Sequence, residues 1–449
     1  MNMATVVLVN SPFYRILQSS NNQVRLQQAV LSPILERAGH TVFQYNADAD
    51  RPENLRDWRA IYGTPTEQYK AVVKDPAHPI WREVREVLEK YRPDWVGVTL
   101  FSGCIEQAAR IAEIAKELGA KTVAGGAHPT TVGNLKLGGL VRLGGRTDLT
   151  PADLHMKGPW DAVCIGDGED VVVDIVEGRL SGVIMAGNTK RLDDYPSPQR
   201  DNYVGPSWFR QSMLNKGSML TSRGCTARCR FCAQHLVAGE SMRWHSPEYV
   251  MGQIREIVYG YGETKLTMHD DVFTLAEKRV RKLCELIVRE DVGLDFRIET
   301  RADCLSDETL DLLKRAGCTR IKLGIESAVQ RLLDLMNKEI RMETVEDAVR
   351  RIQRVGIPIT ANVIVGYPTE TNAEARQTLD WCRKMKFDNV SVSIYTAYEG
   401  TPDHSSYGGI GLDDPSEAFH TNVNLLALST VEPETVDELL ALNEGRMTR

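Results

Sequence analysis

The sequence predicts an α/β protein with two parallel β-sheets that follow one another along the chain. Two series of short apolar runs, each typical of a buried strand, alternate with stretches of helical periodicity. The first series occupies residues 1 to about 190, and the second occupies residues 217–405. Alternating strands and helices form parallel sheets that bind ligands at the carboxyl ends of their strands. We therefore expect two such ligand-binding edges.

The composition is that of a globular protein with two or three domains. Of the 449 residues, 42% are hydrophobic and 26% are charged. The formal net charge of −7 argues against nucleic-acid binding, and no basic stripe offsets it. No run of about 18 apolar residues predicts a membrane span. We expect a small-molecule substrate, and neither a nucleic acid nor a membrane as partner.

The cysteine content and the beginning of the chain predict a cytoplasmic protein. The sequence enters a strand at once and shows no basic region or long apolar segment of a signal peptide. Nine cysteines without such a segment favour a reducing compartment over a disulfide framework. Six of them stand singly and are expected to be packed small hydrophobes: Cys104, Cys164, Cys284, Cys304, Cys318 and Cys382.

Five runs of the first series predict the strands of the first domain, residues 1–190. They are residues 4–10, 41–45, 95–100, 121–126 and 162–166. Gly39 is placed to end the helix that joins the first two strands. Residues 48–90 are polar with interleaved aromatic side chains, and we interpret them as a mostly helical insertion.

A turn-rich linker over residues 191–216 leads to the second domain, residues 217–405. Its six runs are residues 218–221, 265–271, 295–300, 320–325, 360–366 and 390–395. Six consecutive βα units predict a partial (β/α)6 TIM-like barrel with its site at the carboxyl ends of the strands. Residues 406–449 form a short tail that ends in a predicted helix.

Three cysteines follow the first strand of the second series. Cys225, Cys229 and Cys232 have the spacing C-x3-C-x2-C, and closely spaced thiolates are the usual ligands of iron–sulfur clusters. Three thiolates leave one iron of a [4Fe–4S] cube open to a substrate or cofactor. The alternatives are packed thiols or a zinc knuckle, for which His235 is close enough in sequence to supply the fourth ligand.

The cysteine stretch, with the aromatic Phe231 before the last cysteine, resembles the signature of the radical S-adenosylmethionine (SAM) superfamily. The resemblance continues for about 170 residues. It implies a [4Fe–4S] cluster at the three cysteines, SAM as cofactor, and a reductase or flavodoxin-type protein as electron donor. The cofactor-binding residues that it implies are Phe231, Arg301, Glu326, Ser327, Asn362 and Gly366. Its candidate catalytic residues are Asp270, Asp271, Glu299 and Tyr395.

The first domain resembles the cobalamin-binding Rossmann domain that precedes many radical SAM domains. Residues 125–130 and 166–169, both rich in glycine, carry this resemblance. Two departures from the family pattern leave open whether this domain binds cobalamin. The alternative is a domain that only packs on the barrel or serves a partner. Residues 19–25 lack the Pro-rich, Gly-Leu-containing turn of the family. The D-x-H-x-x-G motif at residues 153–158 precedes the fifth strand, whereas it should follow the first.

The resemblance implies that SAM is cleaved reductively to a 5′-deoxyadenosyl radical that abstracts a hydrogen atom from a substrate. We expect dehydration of an aminosugar-like natural product, as in the radical SAM diol dehydratases of aminoglycoside pathways. The carboxylates Asp270, Asp271 and Glu299 would suit such a polyamine. The alternative is a cobalamin-dependent radical SAM C-methyltransferase. A second alternative is a non-enzymatic protein that binds a corrinoid or a metal ion.

Overall fold

The computed structural model describes residues 3–17, 21–51, 54, 66–137, 145–189, 191–239, 241–407 and 428–442. The chain divides into two compact units, one mainly Met1–Lys216 and the other mainly Gly217–His235 and Glu240–Gly411. A short piece, Leu236–Gly239, belongs to the first unit. Residues 52–53 and 55–65 of the predicted insertion lie outside the described residues, as do residues 408–427 and 443–449 of the predicted tail.

The first unit contains an eight-stranded sheet. Its strands are β1 Thr5–Asn10, β2 Thr41–Asn46, β3 Trp95–Thr99, β4 Lys121–Gly125, β5 Gly145–Arg146, β6 Ala162–Gly166, β7 Gly182–Gly187 and β8 Tyr203–Val204. Its helices are α1 Phe13–Ile16, α2 Leu26–Arg37, α3 Thr66–Lys74, α4 Pro79–Tyr91, α5 Ile105–Glu117, α6 Ala127–Lys136 and α7 Val172–Val176. The helices α3 and α4 lie within the predicted insertion.

The strand order is β5-β7-β6-β4-β3-β1-β2-β8, and every pair is parallel except β5 with β7. The central order β2-β1-β3-β4-β6 is that of a doubly wound, Rossmann-like sheet, whose ligands bind where the strand order reverses. That point lies between β1 and β3. Alternate residues of β1 enter two different apolar clusters, Val7 in one and Val6 in the other, so this strand is buried on both faces.

Three strands of this sheet were not predicted. The run Gly182–Gly187 has the buried, apolar character of a central strand, and it pairs in parallel with β6. The other two, Gly145–Arg146 and Tyr203–Val204, have two residues each. A two-residue strand shows no period in the sequence, because its pairing depends on the neighbouring strand alone.

The second unit contains a six-stranded, fully parallel sheet. Its strands are β9 Ser218–Met219, β12 Lys265–Met268, β13 Asp295–Thr300, β14 Cys318–Glu326, β15 Ile359–Val365 and β16 Asn389–Ile394. A two-stranded ribbon pairs β10 Ser222–Arg223 with β11 Arg243–Trp244. The order β16-β15-β14-β13-β12-β9 places each strand beside the next one in the chain. This confirms the predicted series of six βα units.

The helices of this part of the chain lie between successive strands, except for the last two, which follow β16. They are α8 Gln234–Ala238, α9 Pro247–Arg255, α10 Glu277–Glu290, α11 Asp307–Arg315, α12 Gln330–Leu335, α13 Met342–Val355, α14 Asn372–Met385, α15 Pro402–Tyr407 and α16 Pro433–Ala441. The local sequence determines where several of these helices begin or end. Thr371 and Glu374 form a capping box at the start of α14, and Gly356 ends α13 in the left-handed conformation.

One face of the six-stranded sheet is buried, and alternate residues of the other face are half-exposed. We call this second face the open face, defined by Thr267, Glu299, Lys322, Asn362, Ser391 and Ser393. Successive side chains of a strand point to opposite faces of the sheet, so these polar residues point away from the core. Among the described residues, no helix combines the length and the apolar composition that a bilayer crossing requires.

Candidate active site

The three-cysteine loop lies at the carboxyl end of β9. Cys229 is buried, and Cys225 and Cys232 are half-buried. Burial raises the pKa of the Cys229 thiol, while Lys338 and Arg301 beside it act in the opposite direction. Nearby cations favour the thiolate, which is the form that binds metals. The loop therefore offers three neighbouring thiols in surroundings that include two positive charges.

Asp270 stabilises the beginning of this loop through hydrogen bonds. Its carboxylate is buried and accepts hydrogen bonds from the Thr221 amide at 3.1 Å and the Thr221 hydroxyl at 2.9 Å. The Ser222 hydroxyl donates a third bond. The structure thus shows Asp270 positioning the loop, and its predicted catalytic role stays a prediction.

Asp271 and Glu299 lie at the ends of neighbouring strands and differ from Asp270 in exposure. Asp271 accepts a hydrogen bond of 2.7 Å from Gln234 Nε2 and remains in contact with solvent. Desolvation by its crowded surroundings raises its pKa, and the carboxylates of Asp270 and Glu299 add to the rise. Glu299 is half-buried on the open face, where its Oε1 lies 2.8 Å from Lys322 Nζ. Of the three predicted carboxylates, only Asp271 is both exposed and without a cationic partner at hydrogen-bonding distance among the described residues.

Glu326, at the end of β14, forms a buried ion pair that the sequence did not predict. Its Oε1 lies 2.6 Å from Lys338 Nζ, and the side chains are only 12% and 5% exposed. Burial disfavours the charge on Lys338, but Glu326 and Cys229 outweigh this and raise its pKa. The pair lies over Gly324, where an added Cβ would be 2.9 Å from Glu326 Oε1. The missing side chain of Gly324 thus leaves room for a charged pair next to the cysteine loop.

Arg301, the predicted ligand of the SAM carboxylate, is held in a fixed orientation. Its Nε and Nη2 donate to the two oxygens of Asp303 at 3.0 and 2.8 Å, and Nη2 also donates to the Lys338 carbonyl at 2.9 Å. Its Nη1 lies 3.9 Å from Cys229 Sγ. The guanidinium therefore lies beside the cysteine loop, and its contact with SAM stays a prediction.

Ser327 and Asn362 occupy different environments. Ser327 is fully buried, and its hydroxyl accepts a hydrogen bond of 3.1 Å from the Val329 amide. It also lies 3.3 Å from the Thr378 hydroxyl, so it stabilises the turn before α12. Asn362 is half-buried on the open face and pairs in register with Gly324 and Ser391. Asn362 therefore remains accessible from this face, whereas Ser327 does not.

Gly366 begins the turn after β15, where φ is +80°. The amides of Gly366 and Tyr367 donate to Glu370 Oε2 at 2.6 and 3.2 Å. Glu370 is buried, and this desolvation raises its pKa to about 7 in spite of the two amide donors. The conformation of the predicted adenine-binding turn thus depends on one buried carboxyl group that the sequence did not predict.

We expect Glu370 to make the stability of the chain depend on pH. Its pKa is about 7 in the folded chain and 4.5 in the reference state. Between these values the folded chain keeps a proton that the unfolded chain releases, so stability falls as pH rises from about 4.5 to about 7. The full difference is on the order of 3 kcal/mol. Thermal unfolding at several pH values should show a shallower decline for Glu370→Gln than for the unchanged chain. Equal slopes would contradict the assignment.

Phe231 and Tyr395 pack in one apolar cluster with Tyr367. The rings of Tyr367 and Tyr395 contact edge to face, with centroids 4.9 Å apart. Tyr395 is buried, and its hydroxyl lies close to the buried carboxylate of Asp403. The cluster supports the cysteine loop through Phe231. The predicted catalytic role of Tyr395 stays a prediction, because the structure shows only its packing.

Arg230, between the second and third cysteines, is held by Asp403 at the start of α15. Its Nε donates to Asp403 Oδ1 at 2.9 Å, and its Nη2 donates to Ser406 Oγ at 2.7 Å. Asp403 is fully buried and also accepts a bond of 2.7 Å from the Tyr367 hydroxyl. Sequence reasoning missed Asp403, because Pro402-Asp403 looks like an ordinary first turn of a helix. We call this contact the Arg230–Asp403 clamp.

The donor set fits an iron–sulfur cluster better than a zinc knuckle. In the ranges that the structure describes, which include His235, no three His, Cys, Asp or Glu side chains are grouped as a single metal ion requires. A zinc ion draws its ligands to one centre. A [4Fe–4S] cube instead receives each thiolate on a different iron. Three thiols on one loop, with Arg301 and Lys338 close by, match the second arrangement.

Comparison with known families agrees with this geometry. Residues 219–382 match the radical SAM superfamily. The match begins at the last residue of β9 and ends in α14, so it covers the four strands β12 to β15 and the whole cysteine loop.

Two curated relatives match more of the chain than this domain. An uncharacterised methyltransferase of Pyrococcus horikoshii is 28% identical over 340 residues, which are 71% of this chain and 70% of that protein. The anaerobic magnesium-protoporphyrin IX monomethyl ester cyclase of Rubrivivax gelatinosus is 28% identical over 383 residues, 79% of this chain. The chain spans 65% of the cyclase, slightly less than two thirds of its length.

A solved structure shows the same fold over nearly the whole chain. The radical SAM methyltransferase TsrM of Kitasatospora setae, with cobalamin and a [4Fe–4S] cluster bound, superposes with a TM-score of 0.64 at 17% identity. The superposition covers 98% of this chain and 91% of TsrM. Residues 219–382 therefore resemble a radical SAM domain, which uses a [4Fe–4S] cluster and SAM as its cofactors.

Proposed function

We propose that the chain is a cobalamin-dependent radical SAM methyltransferase that acts on a small organic substrate. Likeness to the Pyrococcus horikoshii methyltransferase over 71% of the chain carries this proposal, because it extends well beyond residues 219–382. TsrM, also a methyltransferase, supports it through the fold. Methyl transfer was the alternative expectation from the sequence. No relative named above is a dehydratase.

The first unit offers an edge that fits a corrinoid. The reversal of strand order between β1 and β3 is where doubly wound sheets bind ligands. Gly126 follows β4 and Gly166 ends β6 at this edge, with φ of +113° and +95°, conformations that glycine adopts without strain. Ser11, directly after β1, has a buried hydroxyl without a hydrogen-bond partner in the described residues. Glycine turns and an unsatisfied polar atom are features of an edge that receives a broad polar ligand.

His128 does not fit the role of a cobalt ligand in this arrangement. Its Nδ1 lies 3.0 Å from the Ser102 hydroxyl, and its Nε2 lies 2.9 Å from the Leu154 carbonyl oxygen. Both ring nitrogens are therefore engaged within the first unit. His155, in the D-x-H-x-x-G motif, precedes β6 and does not follow β1, where the cobalamin-binding family has this motif. A corrinoid held at the carboxyl edge would be bound without His128.

In the second unit, Cys225, Cys229 and Cys232 would hold the cluster, and Arg301 would orient its loop. When bound, these cofactors supply a 5′-deoxyadenosyl radical from SAM and a methyl group from methylcobalamin. The open face would bind the substrate through Asn362, Ser391 and the Glu299–Lys322 pair. Its role is to place the reacting carbon correctly and to exclude water.

The structure weakens the argument for a polyamine sugar. That expectation depended on three carboxylates, but Asp270 is buried under the loop and Glu299 is paired with Lys322. Two further cations, Arg297 and Arg320, are paired in register on neighbouring strands. They lie on the same face of the sheet as Glu299 and Lys322. The available charge near the open face is thus not predominantly negative, and the aminosugar loses its electrostatic support.

Anaerobic purification with and without added cobalamin tests the proposal. We expect about one corrinoid per chain, visible in the absorbance spectrum, and a product heavier than the substrate by one methylene unit. Mass spectrometry after incubation with SAM, a reductant and candidate substrates measures the mass change and 5′-deoxyadenosine together. A corrinoid-free protein that forms 5′-deoxyadenosine and a product lighter by one water would establish dehydration instead.

A matched pair of variants locates the corrinoid. In Gly125→Val, the added Cβ would meet only Cys164 Cβ, at 3.8 Å, which is an ordinary van der Waals contact. The new side chain would occupy the carboxyl edge of β4, and we expect less bound corrinoid. Gly252→Val, at a position in α9 with nothing within 4 Å of an added Cβ, should bind the normal amount. Unchanged corrinoid content in Gly125→Val would place the ligand elsewhere.

A further inference from the structure

Two arginines on the open face of the six-stranded sheet have no carboxylate partner in the described residues. Arg297 of β13 and Arg320 of β14 are paired in register on neighbouring strands. Arg297 is exposed, and its guanidinium forms no hydrogen bond with the described part of the chain. Neighbouring strands lie only about 4.8 Å apart, so two cations on them repel each other, and an anion bound between them removes this repulsion.

The guanidinium of Arg320 is oriented by one hydrogen bond and keeps other donor groups available. Its Nη1 donates to the hydroxyl of Thr360 in β15 at 3.2 Å. Its Nε and Nη2 have no partner among the described residues, and the side chain is half-buried. Arg297 lies on the other side of Arg320 from Thr360, because β14 lies between β13 and β15. The free donors of Arg320 and the guanidinium of Arg297 are therefore available to the same ligand.

The other charged residues of this face do not neutralise the two arginines. Glu299 is paired with Lys322 at 2.8 Å. Asp295 accepts a hydrogen bond from the Thr319 hydroxyl, and the exposed Lys265 of β12 is in register with it. The face thus has two carboxylates, Asp295 and Glu299, against four cations: Lys265, Arg297, Arg320 and Lys322. Two positive charges remain in excess.

Carboxylates at the two edges of the sheet are bonded to other groups. At the amino edge, Glu263 accepts a hydrogen bond of 2.9 Å from the Lys265 amide, and Asp388 accepts one of 3.0 Å from the Ile359 amide. At the carboxyl edge, Asp271 is bonded to Gln234. It lies four residues beyond Thr267, which is the residue of β12 in register with Arg297. The excess positive charge therefore belongs to the middle of the open face.

We propose that Arg297 and Arg320 bind an oxyanion group of the substrate, which is a carboxylate or a phosphate. Guanidinium groups match the geometry of both oxyanions and bind them through charge-assisted hydrogen bonds. The proposal rests on the proposed function, because it uses the assignment of the open face to the substrate.

The position of Arg297 along its strand also limits the size of the substrate. Arg297 is three residues before the last residue of β13, so its Cα lies about 10 Å from the carboxyl edge. The cysteine loop lies at that edge. The oxyanion and the reacting carbon of the substrate would therefore be separated by a distance on the order of 10 Å, which several bonds must span. The carboxylate of SAM, which is expected at the cluster, is not the ligand of these two arginines.

Titration calorimetry of the intact, cluster-loaded protein tests the proposal. SAM and cobalamin are present in excess, so that neither cofactor site is open to the probe. The probes are inorganic phosphate and succinate, each in a buffer low in chloride. We expect about one binding site per chain for phosphate if the substrate carries a phosphate group, and for succinate if it carries a carboxylate. Arg297→Gln and Arg320→Gln should each raise the Kd about tenfold, because each removes a charge-assisted hydrogen bond.

Arg289→Gln removes the same charge from an exposed position in the last turn of α10, and it should bind the probes normally. The iron content of every variant checks that the cysteine loop is intact. Arg297 forms no hydrogen bond with the described chain, so its replacement leaves the fold in place even if Arg320→Gln is unstable. Absence of binding by both probes, full binding in Arg297→Gln, or equal weakening by Arg289→Gln would overturn the proposal.

The calorimetry involves no turnover, so its outcome is separate from that of the methyl-transfer experiment. Oxyanion binding that depends on Arg297 and Arg320, in a chain that binds no corrinoid and forms no methylated product, would contradict the proposed function alone. A methylated product from a chain that binds neither probe would contradict the oxyanion site alone.

Discussion

Replacement of Cys225, Cys229 or Cys232 by Ala is expected to abolish cluster binding and SAM cleavage in each single variant. Each thiolate would hold a different iron, so two remaining cysteines leave one more iron without its protein ligand. Iron content should fall from about four per chain to near zero, and the brown absorbance should disappear. Chemical iron analysis and detection of 5′-deoxyadenosine by mass spectrometry measure the two losses separately.

Cys304 provides the matched control. It is half-buried and lies next to Asp303, and burial raises its pKa, with smaller contributions from Asp303 and Cys225. It is therefore a thiol near the loop but outside the motif. Cys304→Ala should keep its iron and its activity. Loss of iron in this variant, or retention of iron in Cys229→Ala, would mean that a different set of cysteines binds the cluster.

Lys338→Met is expected to destabilise the second unit by about 3 to 5 kcal/mol, because it leaves the Glu326 carboxylate buried without its partner. Hydrogen exchange of peptides from β14 and β15 measures the loss in the intact chain, where a single two-state transition need not apply. The double variant Glu326→Gln with Lys338→Met should recover part of the loss, since no uncompensated charge then remains.

Lys322→Met removes the same ammonium group from an accessible pair and serves as the control. Lys322 and Glu299 are 36% and 33% exposed, and pairs of this kind contribute less than about 1 kcal/mol. A loss in Lys338→Met no larger than that in Lys322→Met would show that water reaches the Glu326–Lys338 pair. A double variant as unstable as the single one would show that packing, and not charge, determines the effect.

The two sheets could be predicted from the sequence because their strands are apolar runs that repeat between helical stretches. The strands Ala162–Gly166 and Asp295–Thr300 have the predicted bounds, and the other predicted strands differ from prediction by only a few residues at either end. Local pattern also revealed the cysteine loop, since three ligands on one short segment show their spacing directly. The two-residue strands β5 and β8 show no such pattern, because pairing with distant segments defines them.

Residues that act through distant partners could not be predicted in the same way. Lys338 follows a helix and looks like an ordinary solvated lysine, and only the fold brings it to Glu326 and Cys229. Asp270 illustrates a second case. A charged residue at a strand end suggests chemistry, and only the fold shows the three donors of Thr221 and Ser222 through which Asp270 positions the loop. Its catalytic role stays a prediction. Sequence patterns locate polar residues at an edge without revealing which of them remain accessible.

The Arg230–Asp403 clamp affects the order in which the second unit folds. The two residues are 173 positions apart in the chain, whereas each strand of the sheet pairs with its immediate successor. The six βα units can therefore assemble progressively as synthesis proceeds, since their contacts are comparatively local. Asp403, however, follows the last strand. The cysteine loop thus acquires its final support only after all six units have formed, so a ribosome-bound fragment that lacks the last unit exposes an unsupported loop.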